Sequence, residues 1–224
     1  MLYEYYTKAL SAERLELCYR LAPMRVQQYL SAEIEHLESL IPDGGVVLEL
    51  GCGYGRVLER LATSSILVCG IDVSLDSLRL ARRRLAAATN VIVTTMDASR
   101  PGFEEASFDV VCCIQNGLSS FHVDQRALLE SAVKIAKPGG KVLFSSYADE
   151  FWEHRLEWFR IQSAHGLLGE IDEAATRDGT IVCKDGFTAT TVTPDQFSAL
   201  ARGLGQRVSI DVIDGSSVFC EISA

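Results

Sequence analysis

The sequence predicts an α/β fold, a doubly wound, mainly parallel sheet with helices on both faces, and three observations carry that prediction. From Val46 onward, sheet-like runs at 46–50, 66–71, 91–95, 109–114 and 140–146 alternate with helical patterns at about 56–63, 74–88 and 123–136. Such alternation implies right-handed parallel crossovers. The first strand ends in Glu49-Leu50-Gly51-Cys52-Gly53-Tyr54-Gly55, where glycines let the backbone turn tightly beside a ligand. Arg56 to Leu61 then opens an amphipathic helix whose free N–H groups face the same crevice. Finally, 224 residues with 48% apolar side chains can bury one substantial core and leave little material for a second.

Ahead of the first strand lie two helical patterns. One surrounds Ser11 to Leu21; the other follows Ala22-Pro23 and runs to about Leu40. In the second, Val26, Leu30, Ile34, Leu37 and Ile41 recur at helical spacing with Glu33, Glu35 and Glu38 opposite, which reads as an amphipathic helix packed on the sheet. Pro42-Asp43-Gly44-Gly45 closes it with a turn. The helix at 74–88 carries the stripe Leu75, Leu78, Ala81 and Leu85, so Arg79 and Arg82-Arg83-Arg84 form its solvated face. Beyond the fifth strand, Phe151, Arg155, Trp158, Phe159 and Gln162 fall at helical spacing, and Gly169 to Val192 reads as short strands punctuated by Asp178-Gly179 and Asp185-Gly186. A last helix is expected at about Thr193 to Gly203, then a hairpin of Arg207 to Ile213 and Ser217 to Ile222 around Asp214-Gly215.

An acidic residue before GxGxG on the first strand resembles motif I of the class I methyltransferases that use S-adenosylmethionine. Further stations follow in that family's order. Val68-Cys69-Gly70-Ile71-Asp72 is similar to its second strand, ending in an acid seventeen residues after Gly55. Met96-Asp97-Ala98, after a strand at Ile92 to Thr95, resembles the adenine clamp. Phe108 to Ile114 looks like the fourth strand, and Lys137-Pro138-Gly139-Gly140 with Lys141 to Phe144 like the turn and fifth strand. The competing nicotinamide dinucleotide fold needs GxGxxG, and Arg56 stands where its third glycine belongs.

The resemblance implies one Rossmann-like domain with strand order 3-2-1-4-5-7-6, the seventh strand antiparallel, and S-adenosylmethionine as cofactor. It implies that Glu49 orients the loop and the amino-acid end of the cofactor. Gly51, Gly53 and Gly55 would give backbone access with Cys52 as a spacer, Asp72 with Val73 would meet the ribose, and Asp97 with Ala98 the adenine. Gln115 opens the segment Gln115 to His122, where the family places residues touching both the methionine moiety and the acceptor. That segment departs from the Asn/Asp-Pro-Pro-Tyr signature and so disfavours the amide, base and glutamine N-methyltransferases.

Methyl transfer from a sulfonium is an in-line displacement with a good leaving group, which asks for alignment, exclusion of water and sometimes a proton acceptor. His122 is the candidate base, because an unperturbed imidazole accepts a proton near neutrality. Tyr147, at the end of the fifth strand, is an alternative catalytic pocket residue. Residues 1–45 read as a helical lid to which Tyr3, Tyr5, Tyr6 and Tyr19 contribute, unless those rings simply pack on the core. The insertion 148–192 reads as a cap over the acceptor pocket, with an extra layer or a dimer contact as its rival.

A net charge of −9 opposes phosphate backbones as partners, so a small-molecule acceptor is favoured over nucleic acid. The apolar runs are strand-length and no signal-like segment opens the chain, which leads us to expect a cytoplasmic protein without a membrane partner, monomeric or homodimeric. Seven cysteines without a CxxC pair read as small buried hydrophobes, with no metal site. The expected function is methyl transfer to an oxygen, nitrogen or sulfur of a small molecule. The alternative is a cofactor-binding, catalytically silent subunit that regulates a partner enzyme.

Overall fold

Strands β1 (Val46–Leu50), β2 (Leu67–Asp72) and β4 (Phe108–Cys113) are almost unbroken apolar runs because helices cover both their faces. They sit in a computed structural model that describes residues 9–224; Tyr3, Tyr5 and Tyr6 lie outside the described residues. Parallel pairing joins β1 to β2 and to β4, β2 to β3 (Val91–Thr95), and β4 to β5 (Ala136–Tyr147). The hairpin β8 (Arg207–Ile213) and β9 (Ser217–Ser223) closes the sheet, with β9 antiparallel to β5. The order β3-β2-β1-β4-β5-β9-β8 is the expected 3-2-1-4-5-7-6, because the two-residue strands β6 (Ile181–Val182) and β7 (Thr188–Ala189) pair separately as a ribbon.

On one face, α2 (Met24–Ser39), α3 (Arg56–Leu61) and α4 (Leu75–Arg84) bury Ile34, Leu37, Leu58, Leu61 and Leu78 against Val47, Val68 and Leu143. On the other, α6 (Gln125–Ile135) and α8 (Pro194–Ala201) set Leu128, Leu129 and Phe197 against Leu48, Val111 and Phe144. Local signals fix where these helices start. Ser74 accepts the Ser77 N–H, Asp124 accepts the Ala127 N–H, and Thr193 forms a capping box with Gln196 ahead of which Pro194 sits at the first helical position. A third cluster joins α1 (Ala12–Arg20) to the segment after β5: Leu10 and Cys18 pack with Leu156, Phe159, Leu168, Ile181 and Phe187, of which the first two belong to α7 (Trp152–Ala164).

Two features differ from the sequence expectation. Glu33 is fully buried rather than on a solvated face, because α2 is covered on two sides and also buries Tyr29 and Leu37, one turn on either side of it. Lys137 to Gly140 does not separate a helix from the fifth strand. It forms an irregular opening of β5, across which Phe108 pairs with Ala136 but Val110 with Lys141. The arginines of α4 are exposed, as the sequence implies, and two of them also reach neighbouring helices: Arg83 pairs with Glu13 at 2.8 Å, and Arg84 with Glu16 and with Glu59.

Candidate functional site

At the carboxyl edge of the sheet the β1 carboxylate and the glycine turn border a cavity of about 1100 Å³ including its open mouth. Glu49, Gly51, Cys52, Gly53, Asp72, Val73, Asp97, Ala98 and Gln115, all named from sequence, line it. The turn is held from below, since the Gly51 and Cys52 N–H groups donate to the Ile71 carbonyl at 2.8 and 2.9 Å. Gly51 has φ of +78° and faces the Phe121 ring, whose Cζ would lie 2.5 Å from a Cβ there, so only glycine leaves the cavity floor open.

Gly55 alone among the predicted cofactor residues is absent from that lining. Its φ is +85°, and a Cβ would lie 2.9 Å from Leu85 Cδ1 and 3.2 Å from Ala81 Cβ. It serves the close approach of α3 to α4, not access to a ligand. Cys52 is buried, and burial among acids pushes its thiol well above the usual range.

Asp72 spans the turn between strand and helix. Its Oδ2 accepts the Gly53 N–H at 2.8 Å and its Oδ1 accepts the Ser74 N–H at 2.7 Å, while the cap of α4 falls to Ser74 itself. Desolvation raises its pKa against those hydrogen bonds. Asp97 folds into an Asx turn, with Oδ1 accepting both the backbone N–H and the hydroxyl of Ser99, and it borders the cavity between Met96 and Ala98.

Arg56 supplies what sequence reasoning missed. Its side chain lines the same cavity, with its guanidinium 4.9 Å over the Tyr19 ring, yet Nε and Nη2 are buried without a hydrogen-bond partner. Glu49 Oε2 is equally unpartnered, and burial raises this carboxyl to about 8 despite the nearby Arg56 charge. A buried acid and a half-buried cation that line one cavity without bonding each other are a complement to a zwitterion. The available signal was position: an arginine at the first residue of the helix that follows the glycine turn.

Past β4 the backbone takes two successive left-handed residues, Gln115 at φ +58° and Asn116 at +62°, before the short helix α5 (Gly117–Ser120). Glu33 holds this corner from behind. Its Oε2 accepts the Gln115 N–H at 2.9 Å and its Oε1 the Ser217 hydroxyl at 2.8 Å, while burial lifts the carboxyl to about 7. Asn116 donates to the Thr190 carbonyl and accepts from Ser146, tying the corner to the β6–β7 ribbon.

A second cavity of about 650 Å³ adjoins the first, sharing Leu10, Leu15, Tyr19, Gln115 and Ser120 with it. Tyr147, Trp158, Phe159 and Phe187 contribute its aromatic walls, and Trp158 is fixed by an indole N–H donated to the Cys18 carbonyl at 2.9 Å. Of the two residues expected to act on the acceptor, Tyr147 borders this cavity. His122 borders neither; it is exposed, with φ +52°, and partial desolvation lowers its pKa. Among the described residues, no group of His, Cys, Asp and Glu is arranged to hold a metal ion, and no helix is long and apolar enough to cross a membrane.

The family model described as a methyltransferase domain matches residues 47–140. The ubiquinone biosynthesis O-methyltransferase of Idiomarina loihiensis is 33% identical over 109 residues, 46% of this chain and 42% of that protein. The chain thus spans about half the length of the curated relatives it matches. Among solved structures, the PH0226 protein of Pyrococcus horikoshii superposes with a TM-score of 0.68 at 18% identity, covering 98% of this chain and 97% of that one. The N-methyltransferase NodS of Bradyrhizobium japonicum, solved with S-adenosyl-L-homocysteine, gives 0.63 at 17% identity over 99% and 97%. At those identities the likeness establishes the fold.

Proposed function

Since residues 47–140 are a class I S-adenosylmethionine-dependent methyltransferase domain, we propose that the larger cavity holds that cofactor and the second cavity a small-molecule acceptor, methylated at an oxygen, nitrogen or sulfur atom. One observation carries the reading: Glu49 and Arg56 line the same space and each keeps buried polar atoms without a hydrogen-bond partner, which suits the ammonium and carboxylate of a methionine moiety. Asp72 is available to ribose hydroxyls, with lone pairs remaining beyond the two N–H groups it already accepts. Met96 and Ala98 give the apolar surface, and Asp97 the carboxylate, for an adenine ring and its amine.

When bound, the cofactor supplies an electrophilic methyl on a sulfonium. The chain supplies alignment and dryness. Gln115 and Ser120 belong to both cavities and so border the passage between donor and acceptor, while Leu15 and Tyr19 of α1 cover it from the side. Because His122 borders neither cavity, the reading assigns it no proton transfer; Tyr147 orients the acceptor's nucleophile, which loses any proton to bulk solvent.

Calorimetric titration tests the proposal. The protein is expected to bind S-adenosylmethionine and S-adenosylhomocysteine but not a nicotinamide dinucleotide, and Asp72→Ala to weaken binding by about tenfold or more, near 1.4 kcal/mol. Unchanged affinity in that variant would remove the ribose assignment. Acceptor-dependent formation of S-adenosylhomocysteine separates an enzyme from a silent regulatory subunit, and the adjoining second cavity favours the enzyme.

A further inference from the structure

We infer that the second cavity selects an aromatic acceptor that is uncharged when bound and carries a hydrogen-bonding oxygen such as a phenolic hydroxyl. The inference deepens the reading above and rests on it. Three features of the cavity lead there.

Among the described residues, its lining contains no Asp, Glu, Lys, Arg or His. Two titratable side chains of the lining stay neutral: burial pushes the Cys18 thiol up to about 12 and the Tyr19 hydroxyl well above its usual value. An ion entering this space would lose hydration without a charged side chain of the lining to pair with. Arg155, fully buried in α7, lies behind the wall with its guanidinium 4.6 Å over the Tyr147 ring and 5.4 Å over the Phe159 ring, and it donates to the carbonyls of Gly179 at 2.7 Å and Ala189 at 2.9 Å, so its charge is separated from a ligand by those rings.

The walls are aromatic and mutually braced. Tyr19 and Trp158 meet with ring centroids 5.8 Å apart, and Phe159 stacks on Phe187 at 6.4 Å. A ring entering the cavity gains offset or edge contacts with surfaces that are already ordered, so little side-chain entropy is lost on binding.

Unused polar atoms mark where such a ring would carry oxygen. Ser119 Oγ is buried without a partner, and so is Gln115 Nε2 at the boundary of the two cavities. A donor and a hydroxyl left unpaired in a desolvated wall favour a ligand oxygen able both to accept and to donate. An all-hydrocarbon ligand would leave both atoms unsatisfied.

The test uses the whole chain saturated with S-adenosylhomocysteine and titrated calorimetrically with three probes of one shape: naphthol, naphthoate and naphthylmethylammonium. Naphthol is expected to bind at least about tenfold more tightly than either ion. Phe187→Ala should weaken naphthol by about fivefold or more with S-adenosylhomocysteine affinity unchanged. Thr188→Glu, which puts a carboxylate at a half-buried position of the wall, should turn the preference toward the ammonium probe, an outcome that simple hydrophobic partitioning cannot produce. Binding of either ion as tightly as naphthol, no binding of any probe to protein that does hold S-adenosylhomocysteine, or an unaltered preference in folded Thr188→Glu overturns the inference. Failure to bind S-adenosylhomocysteine at all refutes the cofactor reading instead.

Discussion

Cofactor affinity should rise with pH through a single carboxyl, Glu49. Burial raises its pKa from 4.5 to about 8, with Arg56 opposing the shift and Asp72 adding to it, so near neutrality the ligand-free protein holds Glu49 mainly protonated. An ammonium placed against Glu49 favours the carboxylate, so binding releases a proton and strengthens as pH rises toward the ligand-free pKa. A group of pKa about 8 is ionised in roughly one molecule in a hundred at about pH 6 and in roughly one in four at about pH 7.5. If only the ionised form binds productively, affinity rises about 25-fold over that interval, near 2 kcal/mol. The assay is titration calorimetry with S-adenosylhomocysteine across that range, in two buffers of different ionisation enthalpy so that the released proton is counted directly. Glu49→Gln should bind weakly at every pH and release no proton. Wild-type affinity that is flat or falls over the interval, or a slope retained in Glu49→Gln, would refute the linkage.

Folding stability should respond to the other buried carboxyl. Glu33 is raised from 4.5 to about 7, so its protonated form stabilises the fold by about 3 kcal/mol, a contribution fully present below about pH 4.5 and lost as pH rises through about 7. In Glu33→Gln, urea denaturation curves at about pH 5 and pH 8 should lose that part of the difference; an unaltered pH dependence would show that Glu33 does not carry it. Gly55→Ala should cost about 2–4 kcal/mol, combining left-handed strain at φ +85° with the 2.9 Å approach to Leu85 Cδ1. A denaturation midpoint equal to that of wild type would mean that α3 and α4 can separate freely there.

What was legible in the chain was what depends on neighbours in sequence. The periods of the helices and strands, the glycine turn after β1 and the hairpin around Asp214-Gly215 are local signals, and each lies close to where it was read. Because helices follow strands in alternation, the same signals bring Glu49, Asp72, Asp97 and Gln115 to one edge of one sheet, although their separations in sequence reach dozens of residues.

Only the folded arrangement decided the rest. Glu33 looked like a solvated acid until Ser217, 184 positions away, and Gln115, 82 positions away, met its carboxylate. Gly55 read as a ligand contact, yet its neighbours are Ala81 and Leu85. Arg56 entered as the start of a helix and as a residue that broke a fingerprint, and its unpartnered Nε and Nη2 became visible once α1 and the sheet edge enclosed them. The second cavity is assembled from α1, the β4 corner, α7 and the β6–β7 ribbon, with Trp158 pinned to a carbonyl 140 positions earlier. Backbone propensity and side-chain period act within a few residues, whereas burial, shifted acidity and an unpaired polar atom are properties of an enclosure, and enclosures exist only after distant segments have packed.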